Sequence, residues 1–195
     1  MNLYNLKKID FMKTRKFLSI ALFTAIVGAT SFAQNTVMVG GAAMYPTKNI
    51  IENAVHSKEH TTLVAAVKAA GLVETLQSKG LFTVFAPTNA AFDKLPKGTV
   101  ETLLKTENLK MLQTILTYHV VAGKMNASDI AQAIKRGNGK ATLKTVSGGS
   151  LTAWMQGKDL YLSDENDSKA KITIADVNQS NGVIHVIDAV VLPKQ

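Results

Sequence analysis

Cysteine is absent from the 195 residues. That excludes disulfides, thiol catalysis and a lipid-bearing cysteine, so an exported form of this chain rests on its packed core alone. Several catalytic signatures are missing as well. There is no GxSxG turn of a serine hydrolase, no GxGxxG or Walker loop for nucleotides, and no HExxH pair for zinc. No run of Lys and Arg with interleaved aromatics occurs, which argues against nucleic acid as a partner. No stretch repeats itself, so the chain carries a single copy of the unit it encodes.

What is present is enough apolar matter for one core. Hydrophobic residues make up 46%, and the length suits one domain rather than two. The first 33 residues read as an export signal. Lys7, Lys8, Lys13, Arg15 and Lys16 form a basic start, Phe17 to Ala29 an apolar run, and Ser31-Phe32-Ala33 a cleavage site before Gln34. The apolar run is shorter than the roughly 20 residues of a comfortable membrane span, so no transmembrane segment is expected after cleavage. Met12 is an alternative start, with Met12-Lys13-Thr14-Arg15-Lys16 as its own basic opening. The segment holds five of the 22 basic residues and one of the 14 acidic ones, leaving 17 against 13 and a net charge of +4. Residues 34–47, with Gly40-Gly41 and Pro46, read as an extended, partly ordered leader, and 48–195 as the folded domain.

Leu81 to Phe92 compresses a strand, a stop and a helix start into one run. Phe82 and Val84 fall on one face and Leu81 and Phe85 on the other; both are apolar, which predicts a strand buried on both sides. Pro87 ends the pairing. Thr88 then caps a short helix, and Pro96 closes it. Further helices are predicted from Asn49, from Thr61 or Thr62, from Thr99, from Leu109 to Tyr118, and from Asn126 to Gly137. The fourth of these has Leu109, Leu112 and Leu116 on one face and Met111, Ile115 and Tyr118 on another, so it is expected to be well buried, and it feeds a short strand, Tyr118-His119-Val120-Val121, stopped by Gly123. Lys135 and Arg136 suit the negative end of the last helix. From Ala141 the period becomes two. Leu151, Ala153 and Met155 alternate with Thr152 and Trp154, Leu160-Tyr161-Leu162 returns, and Lys171–Val177 and Val183–Leu192 are joined by a hairpin turn at Asn181-Gly182. Helices lead and strands follow, an α+β pattern.

The run TVFAPTNAAF at 83–92 resembles the first signature block of the fasciclin (FAS1) domain family. Asn181 to Asp188 matches the family's C-terminal block, and Tyr118-His119 its tyrosine–histidine motif. The resemblance runs from about Asn49 to Pro193. It implies the FAS1 fold, a compact wedge-shaped β-sandwich flanked by several helices. Thr83, Val84, Phe85, Ala86, Pro87, Thr88, Phe92, Asn181, Gly182, His185 and Asp188 are then motif residues with structural roles. In animal members the tyrosine–histidine motif, and an Asp-Ile pair before the Asn-Gly block, are linked to integrin binding. The resemblance thus points to Tyr118, His119, Asp176 and Val177 as contact residues. It implies a secreted or periplasmic, monomeric module that mediates adhesion to a cell-surface or matrix protein or polysaccharide, with no catalysis, no cofactor and no metal.

Two other functions compete with that reading. One is a hydrolase using His119 or His185 with Asp188, although each imidazole lies in an apolar run that suits a core histidine. The other is carriage of a small apolar ligand between the helices and the sheet. His56 and His60, with Glu59 beside them, lack a third zinc ligand. Asp164, Glu165 and Asp167 supply oxygens for weak Ca²⁺ binding, but their spacing fits no EF-hand and a solvated turn is the plainer reading. Exposed loops at 126–129, 163–169 and 176–180 are the expected contact surfaces. The export reading carries its own test: N-terminal sequencing of protein recovered outside the cytoplasm should begin at or near Gln34, and an intact Met1 or Met12 there would overturn it.

Overall fold

The computed structural model describes residues 36–194, so the export segment at 1–33 lies outside the described residues. The first described elements are two short strands, β1 (Val37–Val39) and β2 (Ala42–Met44), paired antiparallel across Gly40-Gly41. This stretch differs from the extended leader expected of it. Val39 and Met44 are buried, and the Gly40 carbonyl accepts from the Lys58 N–H. Gly40 has a φ of 56°, and any Cβ there would strike Ser57, so the glycine lets the turn lie flat against the body.

The helices come next. α1 (Ile50–Ala54) starts at Asn49 with a complete capping box: Asn49 Oδ1 accepts from the Glu52 N–H, and Glu52 accepts from the Asn49 N–H. α2 (Thr61–Ala69) has no cap from Thr61 or Thr62, which lie inside it. Its orphan donor at Thr62 is taken by Asn89 Oδ1 at 3.0 Å, from a residue 27 positions later. α3 (Val73–Gln77) follows the Gly71 break.

β3 (Phe82–Pro87) is the doubly buried strand expected. Val84 and Ala86 face one apolar cluster, and Phe85 faces a second. Leu81 sits outside the strand and is exposed. After Pro87, Thr88 Oγ1 accepts from the Ala91 N–H at 3.2 Å and opens α4 (Asn89–Phe92), as its residue type predicts. α5 (Thr99–Leu103) starts from Gly98 rather than from a Thr99 cap. α6 (Leu109–Tyr118) buries Leu112, Ile115, Leu116 and Tyr118, while Leu109 and Met111 remain exposed, so one side is open despite its apolar sequence. Tyr118 ends α6 and His119 follows it, so the strand β4 (Val120–Ala122) begins two residues later than the sequence pattern suggests. α7 (Ala127–Arg136) lies under the remaining strands: β5 (Lys140–Lys144), β6 (Ser150–Gln156), β7 (Asp159–Ser163), β8 (Lys169–Gln179) and β9 (Gly182–Ile187).

Seven of these strands form one sheet in the order β4-β3-β9-β8-β7-β6-β5. A bridge between Val121 and Thr145, with the Val146 N–H donating to the Val120 carbonyl at 2.8 Å, brings the two edges together. The sandwich-like core is thus a single curled sheet, nearly a barrel. One apolar cluster lies between the sheet and α1–α3 and α6. The other fills the curl, under α7. β3 and β9 form the wall shared by both.

β3 and β9 are parallel neighbours, with Phe82 opposite Gly182 and Pro87 opposite Ile187. A Cβ on Gly182 would fall 2.1 Å from the Phe82 carbonyl oxygen. Asn181 is not an exposed turn residue, although the Asn-Gly pair reads as one. It is buried, and the two-residue turn between β8 and β9 is Ser180-Asn181. Its Oδ1 accepts from the Ile50 N–H at the start of α1, and its Nδ2 donates to the Leu76 and Ser78 carbonyls at the end of α3. Its carbonyl accepts from the Phe82 N–H. Thr88→Ala removes one cap and should lower unfolding free energy by about 1 kcal/mol. Asn181→Ala strands several buried groups and should cost about 3 kcal/mol or more. Denaturant midpoints of the two variants would measure this, and an equal loss in both would overturn the ranking.

Candidate functional site

The tyrosine–histidine motif sits where α6 hands over to β4. Tyr118 is fully buried. Its hydroxyl donates to the Ser150 carbonyl at 2.7 Å and accepts from the Glu165 N–H at 3.2 Å. Gly149 leaves room for the ring, since a Cβ there would lie 2.7 Å from Cε2. Burial pushes the phenol up to about 12, so it stays protonated. His119 is also buried. Nδ1 donates to the Ile115 carbonyl at 2.8 Å, which leaves Nε2 to accept from the Val191 N–H at 3.3 Å. Burial brings this imidazole down to about 4.

The second motif region gathers at a bulge in β8. Asp176, with a φ of 60°, lies inside the register shift between Ile174 and Val177. Its Oδ1 accepts at 2.7 Å from the N–H of Ala127, the first residue of α7, so the carboxylate lies at the positive end of that helix. Beside it, Asp129 accepts from the Asn126 N–H at 2.8 Å, while Asn126 Oδ1 is buried without a partner. The Asp176 N–H donates to His185 Nδ1 at 3.3 Å, and His185 Nε2 donates to the Met125 carbonyl at 2.9 Å. The imidazole stacks on Phe85 with ring centres 5.7 Å apart. Burial holds it below the usual histidine range.

These contacts revise the contact-residue assignment. Tyr118, His119 and Val177 are all buried, and Asp176 spends its carboxylate on α7. Of the four, Asp176 alone reaches the surface, and only in part. Substituting Asp176 and Val177 together would thus remove a helix cap and a core side chain, so the fold is not expected to pass through that change unaltered.

The other candidates follow the same rule. Asp188 Oδ1 accepts from the Lys171 N–H at 2.8 Å, and Oδ2 pairs with Lys94 at 3.6 Å. Both ring nitrogens of His119 and of His185 are bonded to backbone groups, so neither imidazole is presented as a base. Asp164 is buried rather than solvated. It accepts from the Asn166, Ser168 and Leu192 N–H groups. Glu165 accepts from Ser150 and Lys194, and the Lys194 N–H, then that of Ser150, hold its carboxyl below the usual range. The 163–169 segment is therefore a backbone clamp tying β7 to the C-terminal residues. His56 is exposed, while His60 is buried with Nδ1 2.8 Å from Ser57 Oγ. The two share no ligand face, and no cluster of three metal-ligating acidic or histidine side chains occurs among the described residues.

A cavity of about 90 Å³ lies between α1–α3 and the β3–β9 wall, lined almost entirely by apolar side chains such as Ile50, Leu63, Val67 and Ile184. His60 borders it with an Nε2 that closes no hydrogen bond, although the Ala86 carbonyl is near. Leaving such a space unfilled forgoes packing worth about 2 kcal/mol.

Sequence reasoning missed the asparagine clips. Asn89 Nδ2 donates to the Lys58 carbonyl while its Oδ1 serves α2. Asn53 holds the Tyr45 carbonyl and bonds Gln179 Oε1. Their signal was available only as polar residues inside otherwise apolar blocks.

The buried histidines give a pH test. His119, His185 and His60 are all lowered in the fold, chiefly by burial, against about 6.5 in the unfolded chain. Protonation then favours the unfolded state. Stability should be full above about pH 6.5 and fall as pH drops toward 4, with His119 alone contributing up to about 3 kcal/mol of that loss. Denaturant titrations across this range, with imidazole NMR, would check it. A His119 ring that protonates near 6.5 would contradict the geometry.

Known proteins share this arrangement. The fasciclin domain model matches residues 58–193. Protein sll1483 of Synechocystis sp. is 41% identical over 175 residues, spanning 90% of each chain. The immunogenic protein MPB70 of Mycobacterium bovis is 39% identical over 145 residues, 72% of this chain and 66% of that one. The cell surface glycolipoprotein MPB83 of the same species is 35% identical over 166 residues, 83% and 68% respectively. Among solved structures, the FAS1 domain pair of the insect cell adhesion molecule fasciclin I superposes with a TM-score of 0.68 at 19% identity. It covers 76% of this chain and 52% of that one, about half of the pair. The curled sheet with its helical cover is therefore this chain's version of a shared fold, and the chain belongs to the fasciclin domain family.

Proposed function

We propose that this chain works outside the cytoplasm as a non-catalytic surface module that holds a cell-surface or matrix ligand. One observation carries the reading. Every side chain in the signature blocks with the chemistry for catalysis is already committed to backbone groups: Tyr118, His119, Asp176, His185 and Asp188. Such residues hold a scaffold rigid, and a rigid scaffold with exposed loops suits recognition. The names of the relatives support a surface location, since MPB83 is a cell surface glycolipoprotein. Fasciclin I, an insect cell adhesion molecule, supports adhesion as a use of the fold. The cavity supports a second reading, carriage of an apolar molecule. At about 90 Å³ it is smaller than the roughly 150 Å³ engineered cavity that accepts benzene. A lipid or sterol would need the helices to part, so surface recognition ranks first.

Beads carrying the folded chain should retain cell-envelope or matrix material, and beads carrying heat-unfolded chain should not. Equal retention by both, or turnover of an ester or glycoside that is lost in His119→Gln, would overturn the proposal. A small molecule co-purifying in native mass spectrometry would instead favour carriage.

A further inference from the structure

The geometry points to the outer face of β5–β8 as a binding surface for an anionic polysaccharide. This rests on the surface-module reading and names its class of partner. Strand alternation puts Ala141, Ala153, Leu160, Leu162, Ala170 and Ile172 into the core, so their neighbours face outward. The register aligns four of those neighbours in one row. Lys140 lies opposite Trp154, Trp154 opposite Tyr161, and Tyr161 opposite Lys171. Three strand spacings give the row a length of about 14 Å, that of a short oligosaccharide.

The middle of the row is rigid. Trp154 and Tyr161 stack with ring centres 4.8 Å apart and planes 17° apart. Trp154 Nε1 donates to Ser163 Oγ at 3.0 Å. Lys169 Nζ stands 5.4 Å from the Trp154 ring centre, which fixes a cation beside the ridge. Lys140, Lys144 and Lys169 are exposed. Among the described residues the only ion pair on this face joins Lys171 to Asp159, at 2.7 Å.

Three alternatives fit less well. Lysines on an edge strand blunt edge-to-edge pairing, but that role concerns Lys140 and Lys144 on β5, not Lys169 and Lys171 on β8. Single-stranded nucleic acid binds by stacking bases on open ring faces. Here each ring turns a face to the other, and Lys169 lies near the Trp154 ring. A membrane surface would call for exposed apolar side chains beside the lysines, whereas both rings of the ridge are half-buried. What remains is a rigid outer face with spaced cations, matched by an extended chain that carries regularly spaced carboxylates or sulfates.

Trp154 is the only tryptophan in the chain, so its emission reports this face directly. Polygalacturonate, heparin, neutral dextran and a single-stranded DNA oligonucleotide are titrated into the full exported protein. Emission should change saturably with polygalacturonate or heparin and not with dextran, the two arms separating carboxylate from sulfate. Affinity should fall at least tenfold in the double variant Lys140→Glu with Lys169→Glu, and fall steeply with added salt. The double variant Lys140→Arg with Lys169→Arg should keep it. Circular dichroism should be the same in all three proteins. Equal binding by wild type and the glutamate variant, binding of dextran, or tighter binding of DNA than of either polysaccharide would overturn the site. Beads that retain envelope material while neither polysaccharide binds would overturn this face alone and leave the surface-module reading standing.

Discussion

The parallel pairing of β3 with β9 is the contact on which the rest depends. It joins segments about a hundred residues apart, and the strands on either side of it wrap two separate apolar clusters. Long-range parallel pairing is entropically costly to nucleate, and the sequence around it meets that cost with specific side chains. Gly182 lets the Phe82 carbonyl approach to a distance that any side chain would block. Asn181 ties the same corner to α1 and α3. Pro87 ends β3, and Thr88 immediately starts α4. Loss of this corner would separate the helical cover from the sheet and expose both clusters at once.

A second constraint accounts for where the buried polar side chains sit. A curled sheet with irregular connections leaves many backbone donors and acceptors away from water. Each must find a partner. The side chains of Tyr118, His119, Asp164, Asp176, Asp188 and Asn89 fill those vacancies, in most cases across large sequence separations. Neutral histidines are well suited to the task because one nitrogen donates while the other accepts. The same burial that makes them useful holds their charged forms at a disadvantage. Side chains left free of such bonds lie instead on the outer lysine–aromatic row, where Lys140 and Lys169 are exposed.

Much of the fold was legible in the chain. The alternation of Leu151 and Ala153 with Thr152 and Trp154, the double-faced Phe82 to Phe85 run, and the caps at Asn49 and Thr88 are local signals, set by side-chain period and backbone donors. The hairpin at 37–44 was not legible, because Gly40-Gly41 and Pro46 also describe a loose leader; the burial of Val39 and Met44 and the contacts of Gly40 with Ser57 and Lys58 order it. Leu109 and Met111 misled in the other direction, since apolar residues on a helix say nothing about whether a neighbour covers them. The candidate site was the least legible. Tyr118, His119 and Val177 read as contact residues in the chain alone, but their burial depends on the sheet closing around them.

The sequence by itself determined the α+β order of elements, the doubly buried strand and its stop. It also excluded thiol chemistry, because these properties belong to residue type and short-range period. Tertiary structure alone decided that seven strands form one curled sheet and that Asn89 caps a helix 27 residues before it. It alone decided that Asp176 serves α7, and that Lys140, Trp154, Tyr161 and Lys171 stand in one row. Those facts depend on strand register and on which distant backbone groups lack partners, and neither is written in any local stretch of the chain.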